Sequence, residues 1–167
     1  MSGEAGDLAG GAAFTTCDLF DADETLQSCS LQFRDLGGLA RFTGTVRTVR
    51  CHRDNGLVKK VLNSPGDGAV LVVDGAGSLE SALMGDLIAG AAVRNGWAGV
   101  VINGAIRDRA VVRTLDLGVK ALGTNPRKSA KDGAGDVDVT VEFGGVVFVP
   151  GARLWADEDG ILVTPAS

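Results

Sequence analysis

Short apolar segments alternate with glycine-rich turns along the chain, and their spacing predicts alternating strands and helices. "GAVLVVDG" (68–75) and "AGVVI" (98–102) are continuous apolar runs bounded by glycine, which is the pattern of strands covered on both faces. Between them, apolar residues recur at helical spacing over residues 86–95, and Gly96 is a natural C-terminal stop. The pattern therefore predicts a βαβ unit in the middle of the chain.

The segments before and after this unit continue the alternation of strands and helices. "RFTGTVRTVRC" (41–51) alternates apolar and polar residues and predicts a half-exposed strand. "NGLVKKVLNS" (55–64) has helical spacing, with either Asp54 or Asn55 available as the N-terminal cap. We expect Asn103-Gly104 to turn the chain after the second strand of the βαβ unit.

The last third of the chain has a different pattern. A short helix over residues 109–117 and a strand in "VKALG" (119–123) are followed by three strand-like runs, 137–143, 146–149 and 161–164, without an obvious helix. The chain thus combines βαβ units with a β-rich C-terminal part. We expect an α/β domain with a layered β/β/α arrangement.

Length and composition predict the domain organisation and limit the kinds of binding partner. With 167 residues, of which 45% are hydrophobic, the chain can bury one sizeable core, which predicts a single domain over residues 14–167. Residues 1–13 are rich in glycine and alanine without apolar periodicity, and they predict a flexible N-terminal tail. The net charge of -5 repels a polyanion unless a local basic patch overrides it, so nucleic acid is disfavoured as a partner.

Cysteine usage and the absence of long apolar runs predict the compartment. The three cysteines show no CxxC spacing, so they indicate neither a disulfide framework nor a zinc site, and they fit a reducing environment. No apolar run reaches the length of about 18 residues that a membrane span needs, and the N-terminus lacks the regions of a signal peptide. We therefore expect a soluble, cytoplasmic protein with no membrane contact.

Charged residues stand at both ends of the apolar segment 85–108. Asp86 falls in the first turn of the predicted helix, whereas Arg107 and Asp108 follow the next strand. A βαβ arrangement brings these three residues to one rim of the sheet. Arg107 offers a planar fork for a carboxylate, Asp108 offers a hard oxygen ligand for a cation, and Asp86 is suited to hold waters on the same ion. The alternative is that Asp86 is only a helix cap and that Arg107 and Asp108 are only loop charges.

Three further segments leave alternatives open. "VVDGAGS" (72–78) weakly resembles the cofactor loop of methyltransferases, but a loop that presents backbone N–H groups to a substrate carboxylate is the better interpretation. "NPRKSAKDG" (125–133) is either a solvated loop or a contact for an anion or partner. The acids of "WADEDG" (155–160) either cap a turn or reach the site of a neighbouring subunit.

Several segments in fixed order carry a family resemblance. The chain resembles the proteins related to the regulator of ribonuclease activity A, a family that includes the 4-hydroxy-4-methyl-2-oxoglutarate aldolases, from about Thr16 to the C-terminus. The segments are "SCSLQFRDLGG", "DNGLVKKVL", "VLVVDGAGS", "GDLIAGAAVRNGWAGVVINGAIRD", "DLGVKALGTNPRKS" and "WADEDGILV". The resemblance implies a β/β/α swivelling fold assembled as homotrimers, or as paired trimers that form hexamers. We expect the β-rich end to bury apolar and acidic groups between subunits.

The resemblance also implies roles for the charged residues. An aspartate, twenty residues and then Arg-Asp mark the active site of the metal-dependent members, and Asp86 with Arg107-Asp108 matches this pattern. By resemblance, Asp108 is the protein ligand of a divalent metal cation (Mg²⁺ or Mn²⁺) and Arg107 holds the carboxylate of a 2-oxo acid substrate. The segment Gly85-Asp86-Leu87-Ile88 lines the substrate. Regulator members that bind the ribonuclease can lack the final aspartate, so its presence favours an enzyme.

The implied reaction is the cleavage of 4-hydroxy-4-methyl-2-oxoglutarate into two pyruvates, with oxaloacetate decarboxylation through the same pyruvate enolate as a second activity. A water oriented by Asp86 is the expected base. Some members carry an acid shortly after Arg-Asp, where this chain has residues 109–112 without one, and the expected replacement is Asp157, Glu158 or Asp159 of a neighbouring subunit. The alternative function is a non-catalytic regulator that binds a ribonuclease.

Overall fold

The computed structural model describes residues 13–166, so the predicted tail over residues 1–13 lies outside them apart from the exposed Ala13. The helices are α1 (Thr16–Ala22), α2 (Gly56–Leu62), α3 (Asp86–Arg94) and α4 (Arg109–Val112). The strands are β1 (Gln27–Ser28), β2 (Arg34–Asp35), β3 (Phe42–Arg50), β4 (Val70–Asp74), β5 (Gly99–Ile106), β6 (Gly118–Thr124), β7 (Asp136–Val137), β8 (Val141–Phe143), β9 (Val146–Phe148), β10 (Arg153–Asp157) and β11 (Gly160–Val163). Across the described residues, no helix has the length and apolar character that crossing a membrane requires.

One large sheet organises the described part of the chain. Its strand order is β1-β11-β10-β3-β4-β5-β6-β2, with β7 also paired to β3, and β8 and β9 form a separate hairpin. The four central strands β3, β4, β5 and β6 are parallel to one another. The predicted βαβ unit is thereby confirmed, and the carboxyl ends of the central strands share one edge.

Two apolar cores lie on opposite faces of this sheet. On one face, alternate strand residues such as Leu71 and Val73 pack with helical residues such as Leu62 and Ala92. On the other face, the alternate residues, Val70 among them, pack with the β8–β9 hairpin. Burial of each such leucine or valine side chain stabilises the fold by about 1.5–3 kcal/mol. The predicted β/β/α layering is confirmed. The central strands appear in the sequence as continuous apolar runs because both of their faces are covered.

The predicted turn at Asn103-Gly104 is wrong. Strand β5 continues through these residues to Ile106, with a register shift against β6 between Ile102 and Ala105. The irregularity absorbs the turn-favouring pair without ending the strand, and the Asn103 amide donates a hydrogen bond to Asp74 Oδ1 at 3.1 Å. The longer strand carries the chain directly to Arg107.

Other differences arise where distant segments pair. Strand β3 is mostly buried rather than half-exposed, because apolar layers cover both of its faces: Val49 packs in one core, and Phe42 and Val46 pack in the other. Helix α1 and strand β10 had no periodic signal strong enough to predict them. The run 137–143 is divided into β7 and β8, and Asp138 between them has a left-handed backbone with φ of 56°. The local sequence pattern therefore locates most helices and strands but does not show which strands pair with one another.

Candidate active site

The end of strand β5 and the start of helix α3 meet at the carboxyl edge of the sheet. The segment before α3 runs beside β5: Leu83 N–H donates to Ala105 O at 2.8 Å, and Arg107 N–H donates to Met84 O at 2.9 Å. These bonds place Asp86 next to Asp108 although twenty residues separate Asp86 from Arg107. The structure thus brings every residue of the predicted site, Gly85 to Ile88 with Arg107 and Asp108, into the lining of one cleft.

Asp108 has an unusual backbone and a well-defined carboxylate. It lies in the left-handed region, with φ of 57° and ψ of 38°, which aspartate tolerates better than most residues do. Its Oδ2 accepts the backbone N–H of Asp86 at 3.0 Å. That hydrogen bond, helped by the Arg107 guanidinium, lowers the pKa of Asp108 below its ordinary value even though desolvation opposes the shift. The carboxylate is therefore ionised at neutral pH.

Asp86 is the first residue of α3 and not its N-cap, so its position differs from the one that the capping alternative gave it. The N-cap position of α3 is Gly85, and no side chain of that cap accepts a hydrogen bond from the helix. The Asp108 carboxylate, which comes from the next strand, instead accepts the N–H of the first helical residue. A negative charge at this end of a helix is stabilised by the helix dipole.

Gly85 makes room for this arrangement. A Cβ atom at position 85 would lie 2.6 Å from Asp108 Oδ2 and 3.4 Å from Arg107 Nε. The first distance is too short for a carbon and an oxygen, so any larger residue would displace the carboxylate. The resemblance implied that Gly85 lines the site, and the structure gives a steric reason for a glycine there.

The Arg107 side chain remains partly free to bind a ligand. Its Nε lies 3.9 Å from Asp108 Oδ2, which is an ion pair but longer than a hydrogen bond, and Nη1 donates to Pro126 O at 3.4 Å. About a third of the side chain is exposed to solvent. The guanidinium can therefore bind a carboxylate without breaking a short internal ion pair.

Sequence reasoning missed the opposite wall of the cleft. Residues 127–131 lie between two other segments: Ala82 N–H donates to Arg127 O at 2.8 Å, and Asn55 N–H donates to Ala130 O at 2.8 Å. The cleft that contains Asp108 is consequently also lined by Asn55, Lys128, Ser129 and Lys131. Within residues 13–166 neither lysine forms an ion pair. Of the two interpretations of 125–133, the position in the cleft favours the anion contact.

Asp54 holds this wall in place. Its carboxylate accepts the N–H groups of Gly56 at 2.9 Å, Asp132 at 3.1 Å and Gly133 at 3.1 Å. Burial raises the pKa of Asp54, but these backbone hydrogen bonds outweigh it, so the pKa lies below its ordinary value. Of the two capping candidates predicted for α2, Asp54 is the one whose side chain bonds to the helix.

Asn55 occupies the N-cap position of α2 but uses its side chain differently. The side chain makes no capping hydrogen bond, and Oδ1 is buried with no hydrogen-bond partner in the described structure. A buried acceptor without a donor costs about 1–3 kcal/mol. The one signal for this in the sequence is that Asp54 and Asn55 are adjacent. A helix needs a single N-terminal cap, so one of the two side chains is not required for capping.

The donor set is compatible with a divalent cation that keeps part of its water shell. No group of three or more His, Cys, Asp or Glu side chains suited to a metal occurs within the described residues. Asp108 and Asp86 supply two hard carboxylates in one cleft. Mg²⁺ typically binds through one or two carboxylates, several waters and its substrate, so these residues fit such an ion.

Two other predicted contributions do not reach the cleft. In the loop 74–78, Gly75 and Gly77 donate their N–H groups to Asn103 O, and Ala76 donates to Asp74 Oδ1. The prediction that this loop presents N–H groups to a substrate is therefore wrong, because those donors are used within the fold.

Asp157 is also excluded as an acid for a neighbouring site. It is 3% exposed, and its carboxylate accepts hydrogen bonds from Thr16 N, Thr16 Oγ1 and Asp159 N. Glu158 and Asp159 are exposed. The hypothesis of a shared acid is thus restricted to these two residues.

Comparison with known proteins agrees with this architecture. The structure is similar to that of an RNA-processing inhibitor RraA from Thermus thermophilis, with 47% sequence identity over 92% of this chain and 94% of that chain and a TM-score of 0.89. It is equally similar to a Geobacillus kaustophilus protein described as an S-adenosylmethionine: 2-dimethylmenaquinone methyltransferase, with 46% identity over 92% of this chain and 96% of that chain and a TM-score of 0.89. Streptomyces coelicolor RraAS2, from the RNase ES inhibitor RraA family, is 31% identical over 90% of this chain and 78% of that chain, with a TM-score of 0.73. Residues 16–163 match the RraA-like family described as Aldolase/RraA, and the chain therefore belongs to this family.

Proposed function

We propose that the protein is a divalent-metal-dependent aldolase that cleaves 4-hydroxy-4-methyl-2-oxoglutarate into two pyruvates and also decarboxylates oxaloacetate. The observation that carries the proposal is the Asp108 carboxylate, which is ionised, partly exposed and adjacent to Asp86 and Arg107 in one cleft. The fold alone would not support this choice, because one fold serves many functions.

Arg107 and the start of helix α3 are suited to bind the substrate carboxylate. The guanidinium supplies a planar pair of donors. The first N–H groups of a helix have no partner within the helix, so Leu87 and Ile88 offer two more donors on the same side of the cleft. Lys128 and Lys131 add positive charge on the opposite wall. The cleft thus favours an acid with negative charge at both ends.

The chemistry requires a base and stabilisation of an enolate. Loss of the 4-hydroxyl proton allows the C3–C4 bond to break, the C4 fragment becomes the keto group of one pyruvate, and the bonding electron pair forms the enolate of the other. A divalent cation, when bound, supplies Lewis-acid stabilisation of the negative charge on the enolate oxygen. Asp86 would orient the water that accepts the hydroxyl proton, and Asp108 would hold the ion. The water that took this proton then returns it to C3 of the enolate, so that the protons balance.

Oxaloacetate decarboxylation forms the same enolate without the deprotonation step. Loss of its far carboxylate as carbon dioxide leaves the same pyruvate enolate, and no hydroxyl proton has to be removed. The same residues stabilise this enolate, so both activities should depend on the same ion. Neither reaction uses a Schiff base, and no lysine nucleophile is needed.

A second candidate function is regulation of RNA processing by binding a ribonuclease. It is favoured by the 47% identity to a protein described as an RNA-processing inhibitor. Such a role needs a surface rather than a cleft, and it does not require Asp86, Arg107 and Asp108 to lie together. A relative described as a methyltransferase does not add a third candidate, because the glycine loop 74–78 uses its N–H groups internally.

We also propose that the chain works in the cytoplasm as a homotrimer or a hexamer of paired trimers. The side chains of Phe143 and Phe148 in the β-rich end are buried in the core of their own chain, so they are not groups that a subunit contact would bury, and burial of the other apolar and acidic groups of this end between subunits stays a prediction. The more suitable apolar groups are exposed near the cleft, with Leu87 82% exposed and Val111 47% exposed. Light scattering that gives the mass of a monomer would contradict the assembly.

The test of the aldolase proposal is pyruvate release from both substrates, measured with Mg²⁺ or Mn²⁺ and again after EDTA treatment. We expect release from both acids that requires the metal and returns when the metal is restored. Undiminished release in EDTA would rule out the metal mechanism. No release under any condition, together with retention of a ribonuclease on the immobilised protein, would favour the regulator.

A further inference from the structure

Asn55 contributes a hydrogen-bond donor to the cleft. The residue is 6% exposed and lines the cleft together with Asp108. Its Oδ1 is fully buried, so a ligand in the cleft cannot reach it, whereas Nδ2 is the accessible atom of the amide. Within residues 13–166, Nδ2 forms no hydrogen bond, and the side chain that bonds to the start of α2 is that of Asp54. The cleft therefore contains a nearly buried N–H donor that has no acceptor within the described fold.

The backbone fixes the position of this donor. Asn55 N–H donates to Ala130 O at 2.8 Å, and Ala130 N–H donates to Arg53 O at 2.9 Å. Asn55 is therefore bonded to the segment that carries Lys128 and Lys131, which also line the cleft. A donor that the fold already holds in place loses little conformational freedom when it binds a ligand.

The charges around the donor indicate which acceptor it would bind. An amide N–H forms a stronger hydrogen bond with a carboxylate than with a neutral oxygen. Lys128 and Lys131 attract a carboxylate to this wall, whereas the Asp86 and Asp108 carboxylates on the opposite wall repel one. The negative charge of Asp54, which is next to Asn55 in the chain, is offset by the three backbone N–H groups that its oxygens accept. The wall around Asn55 is thus suited to an anionic acceptor.

We propose that Asn55 Nδ2 donates a hydrogen bond to the far carboxylate of the bound 2-oxo acid, so that the site selects an acid with two carboxylates over a monocarboxylate of similar size. The choice of ligand rests on the proposed function, in which Arg107 and the start of helix α3 hold the carboxylate at the 2-oxo end. Asn55 is thus a specificity-determining residue. Because aldol cleavage leaves the far carboxylate unchanged, the hydrogen bond is equally strong before and during the reaction, and its loss should raise KM while kcat stays the same.

The test measures by calorimetry, with Mg²⁺ present, the binding of 2-oxoglutarate and of 2-oxopentanoate, in which a methyl group replaces the far carboxylate. Neither acid has a 4-hydroxyl group or a carboxylate on C3, so neither undergoes the proposed reactions. The wild-type chain should bind 2-oxoglutarate at least about tenfold more tightly, as expected for a hydrogen bond to a charged group. Asn55→Ala should lose most of this preference. Asn55→Asp keeps the size of the side chain but replaces the donor with an anionic acceptor, so it should bind 2-oxoglutarate no more tightly than 2-oxopentanoate.

A matched control is Asn63→Ala at the other end of α2, where the amide donates to Lys59 O at 2.8 Å outside the cleft. Both alanine variants should melt close to the wild type, and only Asn55→Ala should change the ratio of the two affinities. That ratio is the readout, because a general disturbance of the cleft changes the binding of both acids alike. In turnover of 4-hydroxy-4-methyl-2-oxoglutarate, Asn55→Ala should raise KM at least about fivefold and change kcat less than about twofold.

The inference and the proposed function fail separately. A wild-type ratio near one, a ratio that survives in Asn55→Ala or Asn55→Asp, or no binding of either acid overturns the role of Asn55 even if pyruvate is released. A ratio that depends on Asn55 supports this role even if the chain releases no pyruvate, in which case the aldolase proposal alone is wrong.

Discussion

Asp108 and Asp157 are both aspartates whose carboxylates accept backbone N–H groups. Asp157 serves to hold the fold together, whereas Asp108 lies in a cleft where it is available to a ligand. Asp157 is buried, and its two oxygens accept three hydrogen bonds, two from Thr16 and one from Asp159. Asp108 accepts one backbone N–H, from Asp86, and a third of its side chain faces solvent in the cleft. The first carboxylate joins the two ends of the described chain, while the second retains lone pairs for a ligand.

The two carboxylates also differ in the basic side chains beside them. Lys120 is buried, donates to the backbone O of Asp157 and lies 3.0 Å from Asp35 Oδ1, so its charge is neutralised within the fold. Arg107 is held only by long contacts at 3.4 and 3.9 Å. A lowered pKa is common to Asp108 and Asp157 and does not distinguish them. Exposure and unused hydrogen-bonding capacity are the properties that mark a functional carboxylate.

The largest expected effect is the loss of activity in Asp108→Asn. The amide keeps an oxygen that can accept the Asp86 N–H but removes the anionic ligand, so turnover of oxaloacetate should fall by at least about a hundredfold. The melting temperature should barely change. Asp116→Asn, an exposed substitution beyond α4, is the control and should retain full turnover. Wild-type turnover in Asp108→Asn would show that the carboxylate is only a loop charge.

Asp157→Ala should show the reverse pattern. Removal of this carboxylate leaves Thr16 N, Thr16 Oγ1 and Asp159 N without their acceptor, so the free energy of unfolding should decrease by about 2–4 kcal/mol. Turnover per folded molecule should be unchanged. Urea unfolding measures the loss, and Glu158→Gln, at the exposed next position, should stay within about 0.5 kcal/mol of the wild type. A stable Asp157→Ala variant without activity would refute the division between the two regions.

Gly85→Ala and Gly90→Ala test whether the cleft depends on the space at position 85. The Cβ at 85 would lie 2.6 Å from Asp108 Oδ2, so turnover should fall by at least about tenfold as the carboxylate is displaced. At position 90, inside the same helix, the added Cβ meets only the flexible end of Arg94 at 3.3 Å. Gly90→Ala should therefore keep its activity and gain up to about 1 kcal/mol of stability. Equal activity of the two variants would contradict the steric role of Gly85.

The smallest expected effect is in the dependence of stability on pH. Burial raises the pKa of Asp157, but hydrogen bonds from Thr16 and Asp159 outweigh it, so its pKa is below the ordinary value in the folded chain. A group with a lowered folded pKa stabilises the fold above its unfolded pKa of about 3.9, and that contribution is lost as the pH falls through the folded pKa. Thermal melts from pH 7 to pH 3 should therefore be flat down to about pH 5 and decline below about pH 4. The decline should be shallower in Asp157→Ala, and an unchanged slope would mean that Asp157 is not the group responsible.

Local pattern in the sequence determined the βαβ unit and the residues at its ends. The alternation of apolar runs and glycines is a short-range signal, because side-chain periodicity and backbone sterics act over a few residues. It placed α2, β4, α3 and β6 nearly where the structure has them. It also predicted that Asp86 and Arg107-Asp108 share one rim, because a right-handed crossover brings a strand end and a helix start together. The roles of these residues came from the family pattern, which periodicity alone does not contain.

Tertiary structure alone decided the wall opposite Asp108 and the shape of the carboxylate site. Asn55 and Lys131 are far apart in the chain, and their meeting depends on hydrogen bonds from residues 127–131 to two unrelated segments. No periodicity in a single sequence encodes such a long-range pairing. The sequence likewise allowed either Asp54 or Asn55 to cap α2, and only the approach of residues 132–133 assigned the cap to Asp54. The Asn55 side chain is not needed as the cap, and its buried Oδ1 has no hydrogen-bond partner among the described residues, an outcome that depends on these long-range contacts and that the adjacent pair Asp54-Asn55 alone does not reveal.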